Sequence, residues 1–264
     1  MIKYSLITGS AGLLGRQHAT ALLELNYNIV ITDIDKAGLE KTFIYLKKLH
    51  PTKKIIKSLM DVSSSKSIEK NIKNLRKKKI IINNLINNAA IDSKVSKKNK
   101  KKNNKFENFD LNIWNKEIKV GLTGAMLCSK IVGSDMVKNK IKGNIVNIAS
   151  DLSVISPNQN IYKYKNNKFT KPVTYSVIKH GIVGLTKYLS TYWAQNNIKV
   201  NSLSPGSVLN NQPKEFQKRI KKLIPMNRLA NNNEYIGAIK FLCCDDSSYM
   251  TGQNLVIDGG RSVW

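Results

Sequence analysis

The stretch Tyr175-Ser176-Val177-Ile178-Lys179 opens an apolar-periodic segment that runs to Gln195. Residues four apart on a helix share one face, so the Tyr175 phenol and the Lys179 ammonium can point into the same cleft. A free tyrosine, with a pKa of about 10, is a poor proton shuttle at neutral pH, and a fixed cation beside it moves that value toward the working range. The pair is therefore a candidate for general acid and base work. An ordinary amphipathic helix produces the same spacing, so its meaning depends on the elements around it.

Those elements alternate. Lys3-Tyr4-Ser5-Leu6-Ile7-Thr8 reads as a short buried strand, Leu13 to Leu25 as a helix and Asn28 to Thr32 as a second strand. A helix follows from Lys36 to Leu49, stopped by Pro51, then a strand from Ile55 to Met60, a helix from Lys66 to Lys77 and a strand from Ile80 to Ile86. Leu111 to Lys138 and Thr174 to Gln195 read as long helices, with strands at Asn144–Ala149 and Lys199–Leu203. A last helix over Glu234–Cys243 precedes a last strand, Asn254–Ile257. This alternation predicts one α/β domain over 1–264, a doubly wound parallel sheet of about seven strands with helices on both faces. In such a sheet ligands sit beyond the carboxyl ends of the strands.

The first strand-to-helix connection is Thr8-Gly9-Ser10-Ala11-Gly12-Leu13-Leu14-Gly15. Glycines there let the backbone turn tightly and approach a pyrophosphate, whose charge rests on the helix N-terminus. A plain glycine turn would look the same. Here, however, a strand precedes it, a helix follows, and Asp33 lies 18 positions beyond Gly15 at the end of strand two. A carboxylate at that place accepts the adenosine ribose hydroxyls and repels a 2′-phosphate, and Ile34 rather than an arginine follows it. NAD is expected ahead of NADP.

With these motifs in place the chain resembles the short-chain dehydrogenase/reductase family over nearly its whole length. The marks run in order: the glycine turn, Asp33, Asp61-Val62, Asn87-Asn88-Ala89-Ala90, Ser150, Tyr175 with Lys179, Pro205-Gly206 and Asp258-Gly259-Gly260. The resemblance implies that Tyr175 passes a proton to or from the substrate oxygen and that Ser150 hydrogen-bonds that oxygen. Lys179 would hold the nicotinamide ribose and bias the Tyr175 pKa. It implies cofactor contacts at Thr8, Gly9, Ser10, Gly12, Leu13, Leu14, Gly15, Asp33, Ile34, Asp61, Val62, Asn88, Ala89, Ala90, Tyr175, Lys179, Pro205, Gly206 and Val208. Ser153 competes with Ser150 for its role, and Asn147-Ile148-Ala149-Ser150 matches the family's strand-end pattern.

Two departures stand out. Many relatives place an asparagine in the long fourth helix to complete the catalytic group, and Gly121 stands there. The interval from Ser150 to Tyr175, 25 positions, is also wide. The extra residues, 157–170, include Asn160, Tyr162 and Tyr164, which can hydrogen-bond hydroxyls and suit a polar or sugar-like ligand. A tolerated surface insertion is the alternative. The Gly-Leu-Leu-Gly turn, the wide interval and the ending Asp258-Gly259-Gly260-Arg261-Ser262-Val263-Trp264 resemble a subgroup associated with surface-sugar and flagellin-modification genes. The expected reaction is alcohol–ketone interconversion on a polar, sugar-derived small molecule covered by 205–225. The alternatives are a reductase of 3-oxoacyl groups on an acidic carrier protein and a cofactor-binding protein that has lost catalysis.

Composition narrows the partners. The 264 residues carry a net charge of +27, but the lysines are spread along the chain, and the one basic run, 94–105, reads as a surface loop. A specific nucleic-acid role is not expected. No apolar run approaches the ~18 residues of a membrane span, and the start turns glycine-rich too soon for a signal peptide. No membrane partner is expected, and a cytoplasmic setting is. Cys128, Cys243 and Cys244 have no disulfide or metal-binding spacing and read as small core residues. Self-association as a dimer or tetramer through the two long helices follows from the family resemblance.

Overall fold

The computed structural model describes residues 3–91, 105–163 and 169–264. Seven strands, β1 (Tyr4–Thr8), β2 (Asn28–Asp33), β3 (Ile55–Leu59), β4 (Ile82–Asn87), β5 (Gly143–Ile148), β6 (Ile198–Pro205) and β7 (Asn254–Ile257), form one sheet in the order β3-β2-β1-β4-β5-β6-β7. All pairings are parallel. The strand order reverses between β1 and β4, which opens a crevice at their carboxyl ends.

Parallel strands buried on both faces read as continuous apolar runs, and alternate residues serve opposite layers. Leu6, Val30, Leu85 and Ile145 face a layer built by helices α3 (Ser65–Lys77), α5 (Gly124–Lys138) and α6 (Val173–Trp193). Their neighbours Ile7, Ile31, Ile86 and Val146 face the other layer, supplied by α1 (Leu13–Glu24), α2 (Lys36–Leu49) and α8 (Ile236–Cys243). Two further helices, α4 (Leu111–Ile118) and α7 (Lys214–Lys221), complete the set.

The sequence reading places most elements within a residue or two. β6 runs further than expected, from Ile198 to Pro205, because Ser202 to Pro205 pair with β7. The expected Leu111–Lys138 helix contains a wider π turn at Lys119–Thr123 centred on Gly121. This stretch is long and apolar enough to cross a bilayer by length and composition, yet Cys128, Val132 and Met136 are spent on the sheet core. Helix α7 is an element beyond those the alternation predicts, with only Phe216 and Ile220 buried. The basic run 94–105, apart from Lys105, and Tyr164 lie outside the described residues.

Two of the cysteines are core residues as expected: Cys128 and Cys243 are each 1% exposed, and burial pushes both thiols up to about 12. His18 on α1 is fully buried, and neither ring nitrogen has a hydrogen-bond partner among the described residues. Desolvation lowers its pKa to about 3.

Candidate functional site

The glycine turn is held shut by β4. Thr8 Oγ1 accepts the amides of Asn88 and Ala89, each at 3.0 Å, and Asn88 Nδ2 donates to the carbonyls of Thr8 at 3.0 Å and Gly9 at 2.9 Å. Gly9 takes φ +64°, and a Cβ there would stand 2.7 Å from the Ala89 backbone. At Gly15 a Cβ would meet the Gly9 carbonyl. Both positions need glycine, the first for its left-handed backbone and the second for the closeness of the helix to the turn. Helix α1 then begins at Leu13, after its N-cap Gly12, with no side-chain cap and no acidic residue in its first turn. Its free N-terminal amides and positive dipole end suit a pyrophosphate.

The remaining expected cofactor residues fall along the same edge. The Asp33 carboxylate accepts the Ala11 amide at 2.9 Å and the Asp35 amide at 3.0 Å, which fixes it against the turn. Ile34 is exposed, as are Gly12, Leu13 and Ala90, while Leu14 and Ala89 are half-buried. Asp61 caps its own loop, accepting from Ser63 N at 2.9 Å and Ser63 Oγ at 2.8 Å, and Val62 is buried against Gly124. Pro205 closes β6, the Gly206 amide bonds to the Ile257 carbonyl at 2.9 Å, and Val208 bridges to Ala230. The Ser10 side chain turns inward instead. Fully buried, it donates to the Ile7 carbonyl at 2.9 Å and accepts the Thr32 amide at 3.2 Å, so any contribution it makes is through its backbone.

On the other side of the crevice, β5 delivers Ser150 and α6 delivers Tyr175 and Lys179. Lys179 is buried, and its Nζ donates to the Ile148 carbonyl at 2.8 Å, joining α6 to the strand end that carries Ser150. The same nitrogen stands 5.8 Å from the Tyr175 ring centroid. A second cation, unforeseen from the sequence, lies closer: Lys171 Nζ is 3.5 Å above that ring. Ser150 donates to the Asp151 carboxylate at 2.8 Å, and the rival Ser153 pairs with Ser204 Oγ of β6 at 3.0 Å. Ser153 is thus committed to the interior.

Gly121 has a packing reason. A Cβ there would come within 2.9 Å of Ile178, the residue before Lys179, so an asparagine would collide with α6. One turn earlier, the buried Glu117 accepts a short hydrogen bond from Thr174, next to Tyr175. No local pattern marks this buried polar contact, whose partners lie 57 positions apart.

The insertion is anchored to the domain. Gln159 clamps the Lys171 backbone, accepting its amide at 3.0 Å and donating to its carbonyl at 3.3 Å. Arg219 of α7 donates to the Lys163 carbonyl at 3.0 Å. Tyr162, expected to meet a ligand hydroxyl, is instead 5% exposed, with its ring packed between Phe169 and Phe216 at centroid distances of 5.5 and 5.4 Å. With Ile161, Ile220, Ile224 and Leu229 these aromatics form a small apolar core of their own. The hydrophobic gain from burying the ring outweighs exposing it to carry one hydroxyl. Asn160 remains exposed. Ile161, Tyr162 and Phe169 of the insertion and Phe216, Ile220 and Ile224 of the following segment therefore share one apolar cluster.

A seven-stranded parallel sheet with an uncapped glycine turn at its switch point defines a dinucleotide-binding α/β protein. A family model described as enoyl-(acyl carrier protein) reductase matches residues 9–262. The chain belongs to the short-chain dehydrogenase/reductase family. It is 29% identical over 266 residues to an NAD-dependent glycerol dehydrogenase of Listeria innocua, covering 99% of this chain and 94% of that protein. It is 31% identical over 267 residues to a 3-oxoacyl-(acyl-carrier-protein) reductase of Buchnera aphidicola, covering 98% and 96%. A short-chain dehydrogenase from Leptospira borgpetersenii, solved with bound NAD+, superposes with a TM-score of 0.86 at 27% identity, covering 100% of this chain and 94% of that one. The protein is an NAD(P)-dependent dehydrogenase or reductase acting between alcohol and ketone.

Proposed function

We propose that the chain oxidises and reduces a polar, sugar-derived alcohol–ketone pair with NAD as the preferred cofactor. The observation that carries this reading is the tie from Lys179 to the Ile148 carbonyl, which sets the Tyr175 face of α6 beside the Ser150 end of β5. Tyr175 gives or takes the proton of the reacting oxygen, and Ser150 hydrogen-bonds that oxygen. Lys179 and Lys171 favour the phenolate by charge. The amides of Leu13 and Leu14 and the Asp33 carboxylate would hold the dinucleotide, which when bound supplies the hydride.

The polar substrate is supported by the exposed Asn160 of the insertion, the Lys171 ammonium over Tyr175 and the glycerol dehydrogenase relative. A carrier-bound 3-oxoacyl substrate is the second reading, favoured by the other relative and by a +27 surface, which would speed encounter with an acidic carrier. A panel of polyols, sugar acids, activated sugars and 3-oxoacyl thioesters, followed by NADH absorbance, separates the two. Turnover of thioesters alone would overturn the sugar reading, and turnover of nothing would favour a protein that has lost catalysis.

NADH is expected to bind at least about tenfold more tightly than NADPH, the 2′-phosphate being repelled by Asp33. Asp33→Asn keeps one acceptor oxygen and removes the charge, so it should narrow that gap. Cofactor fluorescence titration measures both. Tighter NADPH binding by the natural chain would show that another residue sets the choice.

Self-association is expected through α5 and α6. Tyr188 and Tyr192, each 63% exposed and stacked at 5.8 Å, lie on the outer face of α6, and aromatic faces of this kind suit a symmetric helix contact. Light scattering should give two or four times the chain mass, and Tyr188→Glu with Tyr192→Glu should lower it. A monomer at micromolar concentration would remove the proposal.

A further inference from the structure

We propose that Lys171 is a specificity residue that receives an anionic group, a carboxylate or a phosphate ester, carried by the substrate near its reacting carbon. The inference rests on the reading that Tyr175 works on the reacting oxygen, and it deepens that reading by naming the charge of the substrate.

The position of the ammonium carries it. Lys171 Nζ stands 3.5 Å from the centroid of the Tyr175 ring, closer than Lys179 Nζ at 5.8 Å. The phenol oxygen is rigidly attached to that ring, and an oxygen that exchanges a proton with it must come within hydrogen-bond distance. A substituent on a carbon beside the reacting one therefore comes within reach of the flexible lysine stem.

The two lysines divide the work. Lys179 is 7% exposed and donates to the Ile148 carbonyl at 2.8 Å, which seals it into the junction of α6 and β5. Lys171 is half-buried, just ahead of the first turn of α6, and its partial exposure lets a ligand approach. Its backbone is fixed on both sides. Gln159 of the insertion accepts its amide at 3.0 Å and donates to its carbonyl at 3.3 Å, and Pro172 follows as the N-cap of α6, its carbonyl accepting the Tyr175 amide at 3.1 Å. Ammonium and phenol thus hang from one short, fixed stretch of chain. A tolerated surface lysine has no need of such a clamp.

An ammonium is a compact charge with three N–H donors, and a carboxylate or phosphate offers it several acceptor oxygens in charge-assisted bonds. The acid beside Ser150 does not oppose an incoming anion, because the Asp151 carboxylate is buried and held by Arg261 Nη1 at 2.7 Å. A cation over an aromatic face also occurs as simple packing, and the two uses differ in what they do to a charged ligand.

Calorimetric titration of the NADH-loaded chain, which cannot oxidise an alcohol, uses probes matched except in charge. D-Gluconate and D-glucitol 6-phosphate are compared with D-glucitol, and glycerate and glycerol 3-phosphate with glycerol. The natural chain should bind a charged member about ten- to a hundredfold more tightly than its neutral counterpart, the range of a hydrogen bond to a charged group. Lys171→Met keeps the length of the stem without its charge and should bring that ratio near unity, and Lys171→Arg should restore most of it. Both members of a set meet the same Tyr175, so any effect of Lys171 through the phenol or through packing cancels in the ratio. Lys73→Met takes the same charge from the exposed face of α3 and should leave the ratio unchanged, which separates Lys171 from the general attraction of a +27 surface. No preference for any charged member, or a preference that survives Lys171→Met, would overturn the proposal. The member preferred tells carboxylate from phosphate. The sugar reading fails by a different result, turnover of 3-oxoacyl thioesters alone in the substrate panel.

Discussion

Tyr175→Phe is expected to lower kcat by about two to four orders of magnitude, the usual size of a general acid–base contribution, and to leave the NADH dissociation constant within twofold. The change removes one hydroxyl and keeps the ring on which Lys171 rests at 3.5 Å, so packing around the cleft is retained. Lys179→Ala should behave differently. It deletes a charge and also the bond to the Ile148 carbonyl that holds α6 against β5, so both turnover and cofactor binding should weaken. Initial rates on a verified substrate, paired with fluorescence titration of NADH, read the two effects separately. More than a tenth of the natural turnover in Tyr175→Phe would remove the phenol from the mechanism.

The second large effect concerns acid stability. His18 is neutral in the folded protein because its buried ring has a pKa of about 3, against an ordinary value of about 6.5 in the unfolded chain. Above pH 6.5 neither state binds this proton and His18 contributes no pH dependence. As pH falls below 6.5 the unfolded chain takes up a proton that the folded chain refuses, so stability is lost by about 1.4 kcal/mol per pH unit until pH approaches 3. His18→Leu removes this dependence. Urea midpoints should therefore favour the variant by about 2–3 kcal/mol more at pH 4.5 than at pH 7.5. Equal differences at the two pH values would mean that the ring finds a proton acceptor or water in the folded state.

Much of this architecture is legible locally. The strands β1, β2, β4 and β5 announce themselves because parallel strands buried on both sides must be apolar at successive positions, and the glycine turn because few other residues could form it. The parts that escaped depend on distant partners. Helix α7, Lys-Glu-Phe-Gln-Lys-Arg-Ile-Lys, offers only Phe216 and Ile220 as apolar positions, too little to define a helix until Tyr162 and Phe169 are packed on it. Tyr162 reads as a ligand contact in an amide-rich loop for the same reason: its burial is decided by Phe216, far along the chain. Gly121 reads as a missing catalytic group, and its cause is a collision with Ile178 that no local pattern encodes. The Asp151–Arg261 pair spans 110 positions, and only the adjacency of Asp151 to Ser150 could have drawn notice.

The small aromatic core shared by the insertion and α7 limits how these segments can be exchanged. Its halves are Ile161, Tyr162 and Phe169 on one side and Phe216, Ile220, Ile224 and Leu229 on the other, and each completes the other while the sheet below keeps a hydrophobic core of its own. Exchanging one half alone strands an aromatic ring over a void, a defect of several kcal/mol for a phenylalanine-sized hole. Exchanging both together carries the cluster across intact and leaves Ser150, Tyr175 and Lys179 unaltered. These segments are thus portable, but only as a matched pair, in the way that two halves of a mould must be recast together.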